Sequence, residues 1–136
     1  MFTAPNILVI DDDEVSNLIT LNVLKDLVDE SKIKFFNSGI SALNFIENGG
    51  KIFTPPELIL LDIDMPLLDG FEFIEKIRES PYSHLQNVPI VILSNSDHPY
   101  DIINSRKAGI KDYLLKPLNK AKIQSLMEKY GLLKEV

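Results

Sequence analysis

The sequence predicts an α/β domain built on one parallel β-sheet with helices on both faces. Three observations carry that expectation. Short apolar runs alternate with segments of helical period along the chain, five times over. The central runs are continuously apolar, as strands buried on both faces must be. Those runs also end abruptly on polar residues, the third of them (Leu58-Ile59-Leu60-Leu61) on Asp62.

The first unit opens with Asn6-Ile7-Leu8-Val9-Ile10, a β-branched run closed by Asp11-Asp12-Asp13-Glu14. A helix should follow, with Val15, Ile19, Val23 and Leu27 on one row and Leu18, Leu21, Leu24 and Val28 beside it. Together they predict a broad apolar stripe, with the acids at the helix start where the macrodipole favours them. Ile33 to Phe36 reads as a short second strand closed by Asn37-Ser38-Gly39. Ala42, Leu43 and Ile46 mark a second helix, ended by Asn48-Gly49-Gly50. A loop with Pro55-Pro56 leads to the third strand.

After Asp62, Pro66 forbids simple continuation as strand or helix, and Asp69-Gly70 offers a turn and an N-cap. Phe73, Ile74 and Ile77 define the third helix, stopped by Ser80-Pro81, and a polar loop runs to Asn87. Val88 to Leu93 is the fourth strand, with Pro89 at its beginning and Ser94 at its end. The helix from about His98 to Lys107 has the faintest signal, resting on Ile102, Ile103 and Ala108. Asp112 to Leu115 forms a fifth strand ending on Lys116-Pro117. Ile123, Leu126, Met127 and Tyr130 then fall at the spacing of one helical face.

With 136 residues the chain is expected to be a single domain, residues 1–136 with a core from about 6 to 130 and no output domain. A net charge of −6 argues against nucleic acid as a partner, since that contact needs a basic face. No apolar run approaches the ~18 residues that a membrane helix requires. Met1 to Pro5 lacks a secretory signal, so the cytoplasm is the expected compartment. The absence of cysteine removes disulfides, thiolate nucleophiles and cysteine-based zinc sites.

In an open parallel sheet, a site forms outside the carboxyl ends of the strands. Asp11, Asp12, Asp62, Ser94 and Lys116 all follow strands and should converge there, although they are far apart in sequence. Three clustered carboxylates repel one another, and a hard divalent cation with oxygen ligands resolves the repulsion; Mg²⁺ suits it. A metal, a hydroxyl and an ammonium beside a carboxylate make a pocket for a phosphoryl group. The chemistry expected is therefore an aspartate that becomes phosphorylated. Each residue also has a plainer role. Asp11, Asp12 and Asp13 could cap the first helix, as Asp13 and Glu14 are read to do. Asp62 could serve a turn, Ser94 cap loop amides, Lys116 sit in solvent and Tyr113 pack in the core. His84 and His98 are read as surface loop residues.

These residues fall into motifs: Ile10-Asp11-Asp12, Leu61-Asp62-x-x-Met65-Pro66-x-x-Asp69-Gly70, Leu93-Ser94 and Lys116-Pro117. In that order and spacing the chain resembles the receiver domain of two-component response regulators, over about Asn6 to Tyr130. The resemblance implies a flavodoxin-like (βα)5 fold with five helices and strand order 2-1-3-4-5. It implies Asp62 as phosphoacceptor, served by a sensor histidine kinase or a histidine phosphotransfer protein. Asp12 and Asp62 would hold Mg²⁺, Asp11 would act largely through water, and the backbone carbonyl of Asp64 would complete the site. Lys116 would pair with the phosphoryl oxygens, Ser94 would swing to hydrogen-bond them, and Tyr113 would be the switch aromatic that turns inward. The peptide before Pro117 is typically cis in this family.

The surface around the fourth helix, fifth strand and fifth helix would then report the phosphorylated state to a downstream protein. Asn95 departs from the Ala or Gly usual after Ser94; with Asp64 and Ser96, it occupies positions that tune access and dephosphorylation. Two rivals stand beside this reading. A pseudo-receiver would use the same fold only for binding. A haloacid dehalogenase-type phosphatase shares the Asp62-Ile63-Asp64 pattern, but Pro66 replaces its Thr or Val, and its acidic pair comes late in the chain. The expectation is a stand-alone phosphorelay switch rather than an enzyme, monomeric or weakly dimeric through its last helix.

Overall fold

A computed structural model describes residues 6–48, 56–63, 70–80, 83–96 and 98–133. Five strands, β1 (Ile7–Ile10), β2 (Ile33–Phe36), β3 (Leu58–Asp62), β4 (Ile90–Ser94) and β5 (Asp112–Leu115), form one parallel sheet in the order β2-β1-β3-β4-β5. The expected strand order is therefore observed. Every residue of β1, β3 and β4 is buried, whereas β2 and β5 at the edges are partly exposed. Burial on both faces explains why the three central strands read as unbroken apolar runs.

Five helices cover the sheet: α1 (Glu14–Leu24), α2 (Gly39–Asn48), α3 (Gly70–Arg78), α4 (Pro99–Lys107) and α5 (Lys120–Lys129). Period-2 alternation sorts the strand side chains into two cores. Leu8, Ile10, Ile59 and Leu61 join Ala42, Leu43, Ile46, Phe73, Ile74 and Ile77 beneath α2 and α3. Ile7, Val9, Leu58 and Leu60 instead meet Leu24 of α1 and Ile123 and Met127 of α5 on the opposite face. Burying each such side chain is worth roughly 1.5–3 kcal/mol, so the two layers set the registers that bring the strand ends level.

Three expectations need correction. The stripe on α1 is narrower than its periodicity suggests, because Val15, Leu18 and Ile19 are 67%, 59% and 39% exposed. Only Thr20 and Leu24 of that helix are fully buried. At about 100° per residue, Val15, Leu18 and Ile19 fall on the side of α1 away from Thr20 and Leu24, the residues that face the sheet. Second, the polar loop before β4 holds a single helical turn, Ser83–Gln86, and His84 lies in it rather than in a loop. Leu85 is buried there, and Arg78 Nη1 donates to the carbonyls of Gln86 at 2.9 Å and Val88 at 3.1 Å. Third, the fourth strand begins at Ile90, two residues later than its apolar run. The α4 helix lies where it was expected, and its apolar face is as thin as its sequence signal, with Ile103 exposed. His98 caps it, Nδ1 accepting from the Tyr100 amide at 3.1 Å, and Pro99 occupies the first turn.

The calls on Asp64, Pro66 and Asp69 lie outside the described residues. Gly70 opens α3 and is needed for a reason other than a turn. A Cβ there would lie 2.6 Å from Ile63 Cα and 2.9 Å from the Asp62 carbonyl oxygen. Among the described residues, no helix is long and apolar enough to cross a membrane.

Candidate phosphoryl and metal site

The carboxyl ends of β1, β3, β4 and β5 bring together the residues that the sequence scattered. Ile10 registers against Leu61, Asp62 against Leu93, and Ser94 against Leu115, so the next residues along share one rim. Carboxylate oxygens of Asp11, Asp12 and Asp62 lie within 4.8 Å of one another. Asp11, Asp62 and Ser94 are buried and Asp12 is exposed, so the cluster opens to solvent on the Asp12 side.

Lys116 reaches into this cluster. Its Nζ is 2.6 Å from Asp11 Oδ2 and 3.5 Å from Asp62 Oδ2, with its side chain only 9% exposed. Burial alone would lower the lysine pKa, but the hydrogen bond to Asp11 and the charges of Asp62 and Asp11 outweigh it, and the ammonium is held above its ordinary value. The Lys116–Pro117 peptide is cis, as the resemblance implies. Lys116 is thus a buried cation rather than a solvated one.

Asp11 is the most heavily bonded of the three acids. Its Oδ1 accepts the Asp13 amide at 2.9 Å, and Oδ2 accepts the Ser16 hydroxyl at 2.7 Å as well as Lys116. Asn17 Nδ2 donates to its backbone carbonyl at 2.9 Å. Burial pushes the Asp11 carboxyl up, but the Lys116, Asp13 and Ser16 hydrogen bonds together hold it below its usual range. Ser16 and Asn17 were not singled out in the sequence. Their only signal is polarity in the first turn of a helix that follows an acidic run.

Ser94 Oγ accepts the Ser96 amide at 3.0 Å, so the hydroxyl does cap a loop amide while it faces the rim. Tyr113 is partly buried against the α2–α3 core, with its hydroxyl donating to the Ser96 carbonyl at 2.6 Å. The ring thus packs against the core, the plainer role read for it from the sequence. Asn95 is exposed and Ser96 half-buried. Asp13 caps α1, accepting the Val15 amide at 3.0 Å, as read from the sequence.

Three acids can accept a hard cation through oxygen, and a buried ammonium lies among them with a buried hydroxyl at the adjoining strand end. A parallel sheet in this strand order with an acidic cluster at its carboxyl edge defines a class of signalling switch domains. Residues 7–128 match the family model of the response regulator receiver domain, and the chain belongs to that family of two-component signalling proteins.

It is 30% identical over 115 residues to Response regulator Rcp1 of Synechocystis, covering 83% of this chain and 77% of that one. Two longer relatives extend well beyond it, the chain spanning 32% of each. The fold is that of the bacteriophytochrome response regulator AtBRR, with a TM-score of 0.81 at 23% identity over 98% of this chain and 96% of that one. It is also similar to the receiver domain of sensor histidine kinase PA1611 from Pseudomonas aeruginosa. There the TM-score is 0.78 at 26% identity over 94% of this chain and 98% of that one, and that structure has a magnesium ion coordinated in its active site cleft.

Proposed function

We propose that the chain is a receiver whose Asp62 accepts a phosphoryl group from a histidine kinase or a histidine phosphotransfer protein. A carboxylate oxygen of Asp62 would attack the phosphorus of a phosphohistidine. A P–O bond forms as the P–N bond breaks, and the electron pair stays with the departing imidazole. The observation that carries this reading is the buried Lys116 ammonium shared between Asp11 and Asp62, within a cluster open beside Asp12. Lys116 sits where it can neutralise an anionic phosphoryl group and orient its oxygens, and Ser94 offers a hydroxyl at the adjoining strand end.

The donor set fits Mg²⁺, with Asp12 and Asp62 as the acids to hold it; when bound, the ion would neutralise charge on the transferring group. Both oxygens of Asp11 are already engaged, which supports a role for that residue through water. Asp64, by its carbonyl as ligand and its side chain in tuning, remains an assignment from the motif, as do Asn95 and Ser96 in tuning.

A phosphoryl group adds about two negative charges and three acceptor oxygens. Ser94 and Lys116 would meet it in one loop arrangement, which α4, β5 and α5 would report to a downstream protein in the cytoplasm. The test is treatment with Mg²⁺ and acetyl phosphate, followed by hydroxylamine. An acyl phosphate is released by hydroxylamine; a phosphoryl group that survives it would sit on a serine or tyrosine and overturn the assignment.

A further inference from the structure

A chain of hydrogen bonds leaves the site and ends on α4. Ser96 stands at its centre and uses three different groups. Its amide donates to Ser94 Oγ at 3.0 Å, and its carbonyl accepts the Tyr113 hydroxyl at 2.6 Å. Its own hydroxyl donates to Asp101 Oδ2 at 2.7 Å and accepts the His98 amide at 3.2 Å. Asp101 is in turn fixed in the first turn of α4, where its carbonyl accepts the buried Ser105 hydroxyl at 2.7 Å.

The strongest of these links is the one to Asp101, because a hydrogen bond to an ionised carboxylate is roughly twice as strong as a neutral one. It acts on the residue whose carbonyl holds Tyr113. If Ser96 could turn its peptide plane, the Tyr113 hydroxyl would lose its acceptor. Leaving a partly buried phenol unpaired is costly, and the ring would be drawn toward water. The loop that carries Ser94 is therefore held from the α4 side by a side chain absent from the phosphorylation motifs.

We propose that Asp101, acting through Ser96, is a positioning residue that keeps Tyr113 inward and so presets the affinity of the site for a phosphoryl group. The proposal rests on the reading of Asp62 as acceptor for its second half only. A simpler role for Asp101 exists: any acid in a first helical turn gains from the macrodipole. The two accounts separate by substitution. A macrodipole role is lost equally in Asp101→Ala and Asp101→Asn and is untouched by Ser96→Ala. A latch is broken by Asp101→Ala and by Ser96→Ala, whereas Asp101→Asn keeps an oxygen acceptor.

The experiment uses the full chain and two readouts. The first is amide hydrogen exchange at Ser96 and along α4 without ligand. The second is the affinity for beryllofluoride in the presence of Mg²⁺, a phosphoryl mimic, compared with the affinity for Mg²⁺ alone. Asp101→Ala and Ser96→Ala should each speed Ser96 exchange and weaken beryllofluoride about fivefold, the size of one net hydrogen bond. Mg²⁺ affinity should stay unchanged, Asp101→Asn, which keeps an oxygen acceptor but loses its charge, should fall between the wild type and Asp101→Ala, and the double alanine variant should be no worse than either single one. Unchanged exchange and affinity in Ser96→Ala, or equal losses in Asp101→Asn and Asp101→Ala, would overturn the latch. A wild type that fails to bind beryllofluoride would instead sink the acceptor reading, and the exchange comparison alone would then decide the latch.

Discussion

Gly70→Ala tests how closely α3 must approach the strand that carries Asp62. The added Cβ would meet Ile63 Cα at 2.6 Å and the Asp62 carbonyl oxygen at 2.9 Å, both backbone atoms, with Ile63 Cγ2 also at 2.9 Å. Real Cβ atoms do not approach this closely, and backbone cannot rotate aside as a side-chain end can. Either α3 lifts from the sheet, loosening Phe73, Ile74 and Ile77, or the end of β3 shifts and carries Asp62 with it. Overpacking of this kind costs about 1–3 kcal/mol; the backbone contacts place it at the upper end, about 3 kcal/mol. For a domain of this size that lowers the melting temperature by roughly 10 °C. Urea unfolding and calorimetry in EDTA would measure it. The proton and nitrogen shifts of Asp62 and Ile63 should move as well. A variant within about 0.5 kcal/mol of wild type, the range of an ordinary surface change, would refute the close-approach argument.

Other substitutions probe separate links. Asp11→Ala should lower stability in EDTA by about 2 kcal/mol in urea titrations, short of the ~3–5 for an orphaned buried charge because Lys116 keeps Asp62 at 3.5 Å. Asp12→Asn, at the exposed side of the same cluster, should leave stability level or higher, since it removes repulsion; a marked loss would contradict the charge account. Arg78→Ala should cost roughly 2 kcal/mol by removing the donor to the Gln86 and Val88 carbonyls, seen as a lower urea midpoint with an unchanged slope.

Tyr130 donates to Asp112, and burial followed by that bond and the Asp112 charge raises its phenol to about 12. A raised folded value means that the stabilisation is complete below the ordinary value near 10 and fades as pH rises through 12. Absorbance titration at 295 nm should show a late-titrating phenol, and Tyr130→Phe should remove it.

The central strands were legible because burial on both faces leaves only apolar residues, as in Leu58 to Leu61. The polar residues at their ends stood out against those runs, and topology did the rest by bringing Asp11, Asp62, Ser94 and Lys116 to one rim. What stayed hidden depends on neighbours that periodicity does not encode. Val15, Leu18 and Ile19 are apolar yet lie on the outer side of α1, because the sheet takes the face of Thr20 and Leu24 instead. The turn at Ser83–Gln86 is fixed by Arg78, whose distant carbonyl partners leave no local pattern. Ser16 reaches Asp11 through helix geometry, and Ser96 reaches Asp101 across a helix N-terminus. Gly70 looked like a turn glycine; its necessity comes from Ile63.

The central claim is that Asp62 accepts the phosphoryl group. Intact mass after incubation with Mg²⁺ and acetyl phosphate, wild type beside Asp62→Asn, tests it most directly. The wild type should gain one phosphoryl group and the variant none. Equal labelling of both would place the acceptor elsewhere, and labelling of neither while Mg²⁺ still binds would make the chain a binding module that keeps the receiver fold without its chemistry.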